Sequence, residues 1–297
     1  MKILLLGKNG QIGWELQRSL APLGEVIALG RHDAPCGDFM QPSNLAEGIK
    51  SISPDVIVNA AAYTRVDDAE SDSRTAMLVN ASAVRTIAQA AAQIGAWLVH
   101  YSTDYVFDGR GSHYWRETDQ PNPLNEYGRS KFAGEEGIKA SGCNHLVFRT
   151  SWVYGQRGTN FAKTMLALAK SRDYMQVVDD QAGAPTRADF VADVTAHVLR
   201  IAMADPQLSG TYHLAASGET TWYGYAKYLI ARARAAGMSL KACESDIEPV
   251  SSCRFPLPAK RPANSRLDTT KLRETFGLHM PDWKTGIDRL IAELIDA

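Results

Sequence analysis

Lys2-Ile3-Leu4-Leu5-Leu6-Gly7-Lys8-Asn9-Gly10-Gln11-Ile12-Gly13 is the stretch on which the fold turns. Its apolar run is continuous rather than alternating, which predicts a parallel strand buried on both faces. A glycine loop follows at once. From Trp14 to Leu23, apolar Trp14, Leu16 and Leu20 then recur at helical spacing. Strand, glycine loop and helix in that order turn a glycine pattern into a dinucleotide site. Glycines allow a tight turn and let the backbone approach a pyrophosphate at the positive end of the helix. The spacing is G-x-x-G-x-x-G, not the G-x-G-x-x-G of the simplest dinucleotide folds. An ordinary strand-to-helix turn is the alternative reading.

Further along, Glu25 to Leu29 reads as a second strand. NAD-dependent folds usually place an acid at its end for the ribose 2′-hydroxyl. Here the residues are Gly30-Arg31-His32, none of which repels a 2′-phosphate. Arg31 either pairs with that phosphate or is a solvated loop residue. Asp33 and Asp38 are close enough in sequence to favour the plain ribose, so use of both NADPH and NADH is expected. Gly37-Asp38-Phe39 is read as closing a short third strand, with Asp38 and Phe39 flanking the adenine. Pro54 to Ala62 is read as a fourth strand. It runs into Ala60, Ala61 and Ala62, whose small side chains let a ligand lie against backbone; Tyr63 and Thr64 continue the loop. Asp67, Asp68, Glu70 and Asp72 suit a helix N-terminus better than a metal. An alanine-rich helix from about Arg74 to Gly95 is followed by a fifth strand, Ala96 to Tyr101. That strand delivers Ser102 and Thr103 at its carboxyl end, where ligands bind in open α/β sheets.

The 297 residues suffice for one large domain or two smaller ones. With 32 basic and 33 acidic residues the net charge is −1, which offers nothing to a nucleic acid or a membrane surface. Cys36, Cys143, Cys243 and Cys253 form no C-x-x-C pair and fit the reduced thiols of a cytoplasmic protein. Ile3 to Leu6 is too short for the core of a signal peptide, and no apolar run approaches membrane-spanning length. None of the seven histidines shows metal-ligand spacing such as H-E-x-x-H.

Tyr101 to Lys131 carries the candidate chemistry. In Tyr127-x-x-x-Lys131 both side chains fall on one face of a helix. An ammonium beside a phenol favours the phenolate, so Lys131 is expected to lower the Tyr127 pKa towards working pH. Such a phenol is a general acid or base for a sugar or alcohol oxygen. Ser102 and Thr103 can offer hydroxyls to the same oxygen. By itself the tetrad is equally a solvated helix face; the glycine loop upstream gives it weight. Downstream, a sixth strand is expected at Asn144 to Phe148 and helices at Asn160 to Ala169 and Phe190 to Ala202. Short strands are expected at Val177-Val178 and Thr211 to Leu214, with a mostly helical region from Thr221 onward.

The motifs Gly7-x-x-Gly10-Gln11-Ile12-Gly13, Asp55 to Asp67, Ser102 to Gly109 and Pro123 to Lys131 resemble the extended short-chain dehydrogenase/reductase superfamily. Together with Arg149 to Tyr154, Asp180-Gln181-x-Gly183-x-Pro185-Thr186, Gly210-x-Tyr212-His213 and Arg261-Pro262-x-Asn264-Ser265, they resemble its dTDP-4-dehydrorhamnose reductases over nearly the whole chain. The resemblance implies a Rossmann-type doubly wound α/β fold. It places cofactor binding in residues 1–150, with later segments at about 175–205 returning to that domain, and a smaller, interleaved substrate region in residues 151–297. It implies hydride transfer from NADPH or NADH to the C4 keto group of a nucleotide-linked 4-keto-6-deoxyhexose, the last step to dTDP-L-rhamnose, a precursor of lipopolysaccharide O-antigen. Tyr127 would protonate the oxygen, Lys131 would hold the nicotinamide ribose, and Thr103 would fix the oxygen's position. Thr103, Asp104, Tyr105 and Trp152 would meet the sugar, although Trp152 is equally a packing residue. A homodimer is implied. Mg²⁺ near its interface is known in the family, but Glu15 and Asp189 are more simply surface charge.

Two other readings stay open. Dehydratases of the superfamily carry Thr-Asp-Glu where this chain has Thr103-Asp104-Tyr105, so the extra acid/base pair for eliminating water is incomplete here. Epimerases carry a different tail after the Ser-Thr position. A non-catalytic regulatory subunit would not need Tyr127, Lys131 and Thr103.

Overall fold

The computed structural model, which describes residues 1–295, opens with β1 (Lys2–Leu6), the glycine loop and α1 (Gln11–Leu20). Next come β2 (Glu25–Leu29), α2 (Pro42–Ile52) and β3 (Val56–Asn59). A π-helical turn at Leu78–Ser82 joins α3 (Ser73–Met77) to α4 (Ala83–Ile94). β4 (Trp97–Thr103), α5 (Glu126–Ser141) and β5 (His145–Thr150) close the first half. β6 (Val153–Tyr154), α6 (Phe161–Ser171), β7 (Met175–Val178), β8 (Ala182–Gly183) and β9 (Thr186–Arg187) come next. The chain continues through α7 (Ala188–Ala202), β10 (Gly210–His213), β11 (Thr220–Thr221) and α8 (Trp222–Ala235). β12 (Ile247–Val250), α9 (Thr270–Phe276) and α10 (Trp283–Ile295) are the last elements.

Six strands form one parallel sheet in the order β10-β5-β4-β3-β1-β2. Strand side chains alternate between faces, and both faces are covered. Ile3, Leu5, Val56 and Val58 pack against Leu16 and Leu20 of α1 and Val191 and Val198 of α7. Leu4, Leu6 and Ile57 pack against Leu45 and Ile49 of α2 and Val84 and Ile87 of α4. This two-sided burial explains why β1 is apolar at every position after Lys2. Each leucine removed from water contributes about 1.5–3 kcal/mol. The chain leaves β1 towards β2 on one side and β3 on the other, so the carboxyl ends of β1 and β3 flank a crevice at the switch point.

The helices begin and end close to their expected places, but α1 starts at Gln11, inside the glycine motif. The third strand expected at Gly37-Asp38-Phe39 is absent. That segment is a succession of turns, in which the Asp33 carbonyl accepts from Gly37 N–H at 2.9 Å and Asp38 Oδ1 accepts from Met40 N–H at 2.9 Å. Local aspartate bonds of this kind compete with a sheet ladder. The run expected as a fourth strand is therefore the third, β3.

The second half builds its own core around Leu166 of α6, Tyr225 and Leu229 of α8, and Trp283 and Ile287 of α10. Within it β7 pairs with β12, away from the large sheet. α7 and β10 go back to the large sheet, one packing on its face and the other extending its edge. No helix among the described residues is long and apolar enough to cross a membrane.

Candidate active site

A cleft of about 680 Å³ runs along the carboxyl ends of the parallel strands. At one end lies the glycine loop. Gly7 has φ +89°, and a Cβ there would sit 2.6 Å from Ala61 N. A Cβ on Gly13 would sit 2.1 Å from the Gly7 carbonyl oxygen. Loop, β3 end and first turn of α1 therefore touch through backbone, which leaves a cradle that side chains would fill. That is the geometry a pyrophosphate needs, so the residues fit a dinucleotide. Gln11 ties the loop to the second half of the chain, accepting from Asn160 Nδ2 at 2.9 Å.

Gly7, Gly10, Gln11 and Ile12 line the cleft, as do Arg31, Asp38, Phe39, Ala60, Ala61, Ala62 and Thr64. Gly13 and Tyr63 do not. Gly13 is packed under the loop. Tyr63 is buried, with its N–H donating to Asn80 Oδ1 at 2.8 Å and its carbonyl accepting from Asn80 Nδ2 at 3.0 Å. Asp33 turns back to the glycine loop at the surface: its Oδ2 accepts from Gly30 N–H at 2.8 Å and lies 2.5 Å from Lys8 Nζ. These contacts hold its carboxyl below the usual range. The aspartate feared as an opponent of a 2′-phosphate is thus already neutralised by a lysine of the glycine loop.

At the other end, β4 delivers Ser102 and Thr103, and α5 delivers Tyr127 and Lys131. Asn125 caps α5, accepting from Gly128 N–H at 2.7 Å and donating to the Lys260 carbonyl at 2.8 Å. This cap fixes the first turn, which carries Tyr127. Removing such a cap costs about 1 kcal/mol. Thr103 Oγ1 accepts from Tyr105 N–H at 3.2 Å and donates to Asp104 Oδ1 at 3.1 Å. The rings of Tyr105 and Tyr127 stand edge-on with centroids 5.8 Å apart.

The electrostatics differ from expectation at one point. Burial pushes the Tyr127 phenol up to about 12; the Thr103 hydroxyl opposes this and the Asp104 carboxyl adds to it. Lys131 does not depress it, because its amine is engaged elsewhere: Nζ donates to the Tyr101 carbonyl at 2.6 Å and lies 3.3 Å from His100 Nε2. Burial in turn brings Lys131 down to about 8, against the pull of Glu135. Desolvation outweighs charge pairing at both groups. Asp104 is likewise pushed up to about 7 by burial, and its Oδ2 has no hydrogen-bond partner. Behind the site the Glu135 carboxylate binds Ser102 Oγ and receives Arg149 through Nε at 3.0 Å and Nη2 at 2.6 Å.

Trp152 reaches the cleft with φ +48° and stacks on Trp222, with ring centroids 3.6 Å apart. It is a cleft wall and a packing residue at once. Trp222, at the start of α8, was not anticipated; it also lines a second cavity of about 560 Å³. Tyr105, Phe161, Val177, Lys260 and Arg261 share that second wall. Arg261 is clamped to Asp67 by Nη1 at 2.7 Å and Nη2 at 2.6 Å, which ties the loop before it to the β3 end. Arg261 belongs to a motif of the resemblance that carried no assigned role, and nothing in the spacing of Trp222 distinguishes it from a surface residue, since its partners lie far away in sequence.

The acids weighed for Mg²⁺ do not make a ligand set. Asp189 faces Arg187 Nε at 2.9 Å and Arg289 Nη1 at 3.5 Å, so both its oxygens meet guanidinium groups. Among the described residues no cluster of three or more His, Cys, Asp or Glu could hold a metal.

Residues 1–295 match the family model described as the RmlD substrate binding domain. The chain belongs to this family. It is 53% identical to the dTDP-4-dehydrorhamnose reductase of Escherichia coli strain K12 over 295 residues, covering 99% of this chain and 98% of that one. In three dimensions this family member resembles the dTDP-4-dehydrorhamnose reductase of Bacillus anthracis in complex with NADP, with a TM-score of 0.87, 34% identity and 98% and 99% of the two chains covered. It also resembles the Clostridium acetobutylicum reductase, with a TM-score of 0.89, 35% identity and coverage of 99% and 100%. The Rossmann-type fold and the reductase family expected from the motifs are both found.

Proposed function

We propose that Tyr127 is the proton donor in the reduction of dTDP-4-dehydro-L-rhamnose to dTDP-L-rhamnose at the sugar C4 keto group. The reduction itself, dependent on a nicotinamide cofactor, comes with the family. The observation that supports the assignment is the meeting of Tyr127, Thr103 and Lys131 at one end of a cleft whose other end is a glycine cradle. NADPH or NADH, held along Gly7, Gly10, Gln11, Ile12 and Ala60 to Ala62, supplies the hydride when bound.

The raised pKa keeps Tyr127 a phenol at working pH, so it donates rather than accepts. Reduction needs that direction, because the carbonyl oxygen gains negative charge. Thr103 offers that oxygen a second donor and fixes its place. Lys131, once turned from the Tyr101 carbonyl towards Tyr127 as an ammonium, would stabilise the phenolate left behind. Fixing the carbonyl in place accounts for a large part of the acceleration, and proton donation adds about 10²–10⁴-fold. Trp152 presents an aromatic face to the sugar. The second cavity suits the nucleotide portion, with Phe161 and Trp222 for the base and Lys260 and Arg261 for the diphosphate. Residues 1–150 with α7 and β10 act as the cofactor half, and a homodimer is the assembly we expect, testable by sedimentation.

The dehydratase reading is disfavoured by Tyr105. Its ring stands edge-on to Tyr127 where an additional acid would be needed. Incubation with dTDP-4-dehydro-L-rhamnose and NADPH decides between them. A reductase consumes one cofactor per sugar and gives dTDP-L-rhamnose by NMR; a dehydratase or epimerase leaves the nicotinamide absorbance unchanged.

A further inference from the structure

A buried chain of hydrogen bonds runs from the β3 end to Lys131, and its direction is set. Ala61 N–H donates to Asn59 Oδ1 at 3.0 Å. A backbone N–H can only donate, so the Asn59 amide is oriented with Nδ2 towards His100, 3.1 Å from Nδ1. Nδ1 is therefore an acceptor, and a neutral imidazole then carries its proton on Nε2. His100 is neutral: it is fully buried, and burial is the chief cause holding it well below its ordinary pKa. Its Nε2–H points at Lys131 Nζ, 3.3 Å away. An ammonium has three donors and no lone pair, so only the free amine can receive this bond. Asn59 and Lys131 are 1% and 2% exposed, which leaves water little room to relieve a donor facing a donor.

We propose that His100 is a positioning residue for the reduction: its Nε2–H holds Lys131 as a free amine against β4 and releases it towards Tyr127 when the amine takes up a proton. The proposal rests on the role given to Lys131 above. The other groups around the amine do not supply this directionality. On β4 the Tyr101 carbonyl accepts from either charge state. On α5, Glu135 favours the ammonium, but its carboxylate is bound to Arg149 of β5 and to Ser102. Asp104 and Tyr105, after β4, lie on the Tyr127 side. Glu70 sits at the start of α5, where its Oε1 accepts from Glu126 N–H at 2.8 Å, and Arg85 of α4 packs at Gly137, further along α5. His100 is thus the group that distinguishes amine from ammonium.

The test follows Lys131 by ε-¹³C lysine NMR on the full-length protein, with the signal assigned by its loss in Lys131→Met. The wild-type resonance should titrate near neutrality to slightly alkaline pH. His100→Asn keeps an acceptor for Asn59 and removes the donor facing Lys131; His100→Gln can turn a carbonyl oxygen to the ammonium. Both should move the Lys131 titration, and the alkaline limb of kcat, upward by about half a unit to one unit. A role in packing alone would lower the melting temperature without moving either midpoint, and unmoved midpoints in folded variants overturn the proposal. Should neither variant fold, ¹⁵N-imidazole spectra of the wild type decide: Nε2 protonated and Nδ1 bare from pH 6 to 9 supports the chain, and the opposite tautomer overturns it. Wild-type turnover in Lys131→Met would instead overturn the catalytic role of Lys131, an outcome distinct from an unmoved titration.

Discussion

The two ends of the cleft are built from different materials. The glycine-loop end is backbone against backbone, with Gly7, Gly13, Ala60 and Ala61 in contact or close to it. The Tyr127 end is a set of buried polar side chains: Ser102, Thr103, Asp104, Lys131 and Glu135 are all under 7% exposed. Shape alone governs the first. Protonation governs the second, since burial displaces the pKa of Asp104, Tyr127 and Lys131 together. Changes at the loop should therefore act as steric switches insensitive to pH, whereas changes at the polar end should be graded and pH-dependent.

The largest effect that could break this contrast is Gly13→Val. Its branched side chain would collide with the Gly7 carbonyl, so titration of the cofactor by fluorescence should show no binding at any pH between 6 and 9. Wild-type affinity would mean the loop is not the cradle. Next is Lys131→Met, for which turnover at saturating cofactor should fall about 10²-fold and cofactor affinity should fall with it. If only affinity changes, the lysine serves the ribose and not the phenol.

Asp104→Asn sharpens the comparison through stability. The folded state holds the Asp104 proton up to about pH 7, while a free aspartate releases it near 3.8. Stability is thus lost as pH rises through that window, because the buried carboxylate must charge. Asparagine should stabilise the fold at pH 8 by on the order of 2–4 kcal/mol and give no advantage below pH 4, as thermal melts at the two pH values would show. An equal effect at both would remove the pKa argument. Arg31→Ala is the smallest. Arg31 is exposed, so the KM for NADPH should rise no more than about fivefold and that for NADH should not move.

The same contrast accounts for what could be read from the amino-acid order. β1 and the glycine loop are contiguous and their requirements are steric, so Lys2 to Gly13 carries both strand and cradle in twelve neighbouring positions, fewer than a full βα unit. Gly37 to Phe39 misled because an aromatic shortly after a glycine looks like a strand end, while the segment is held by local turn bonds, one of backbone to the Asp33 carbonyl and one to the Asp38 side chain. The Tyr127 and Lys131 spacing correctly puts both on one face of α5. It carries no information about depth, and depth sets the direction of both pKa shifts. His100 sits in the apolar run Trp97 to Tyr101 and looks like a strand residue. Its meaning comes from Asn59 and Lys131, on β3 and α5, which only the folded chain brings to it.

The central claim is that Tyr127 gives the proton. Tyr127→Phe keeps the ring that packs against Tyr105 and removes only the hydroxyl. Steady-state turnover of dTDP-4-dehydro-L-rhamnose, measured beside the cofactor Kd, tests it directly. Turnover should fall by at least about 10²-fold with the Kd nearly unchanged. Turnover at the wild-type rate would contradict the account.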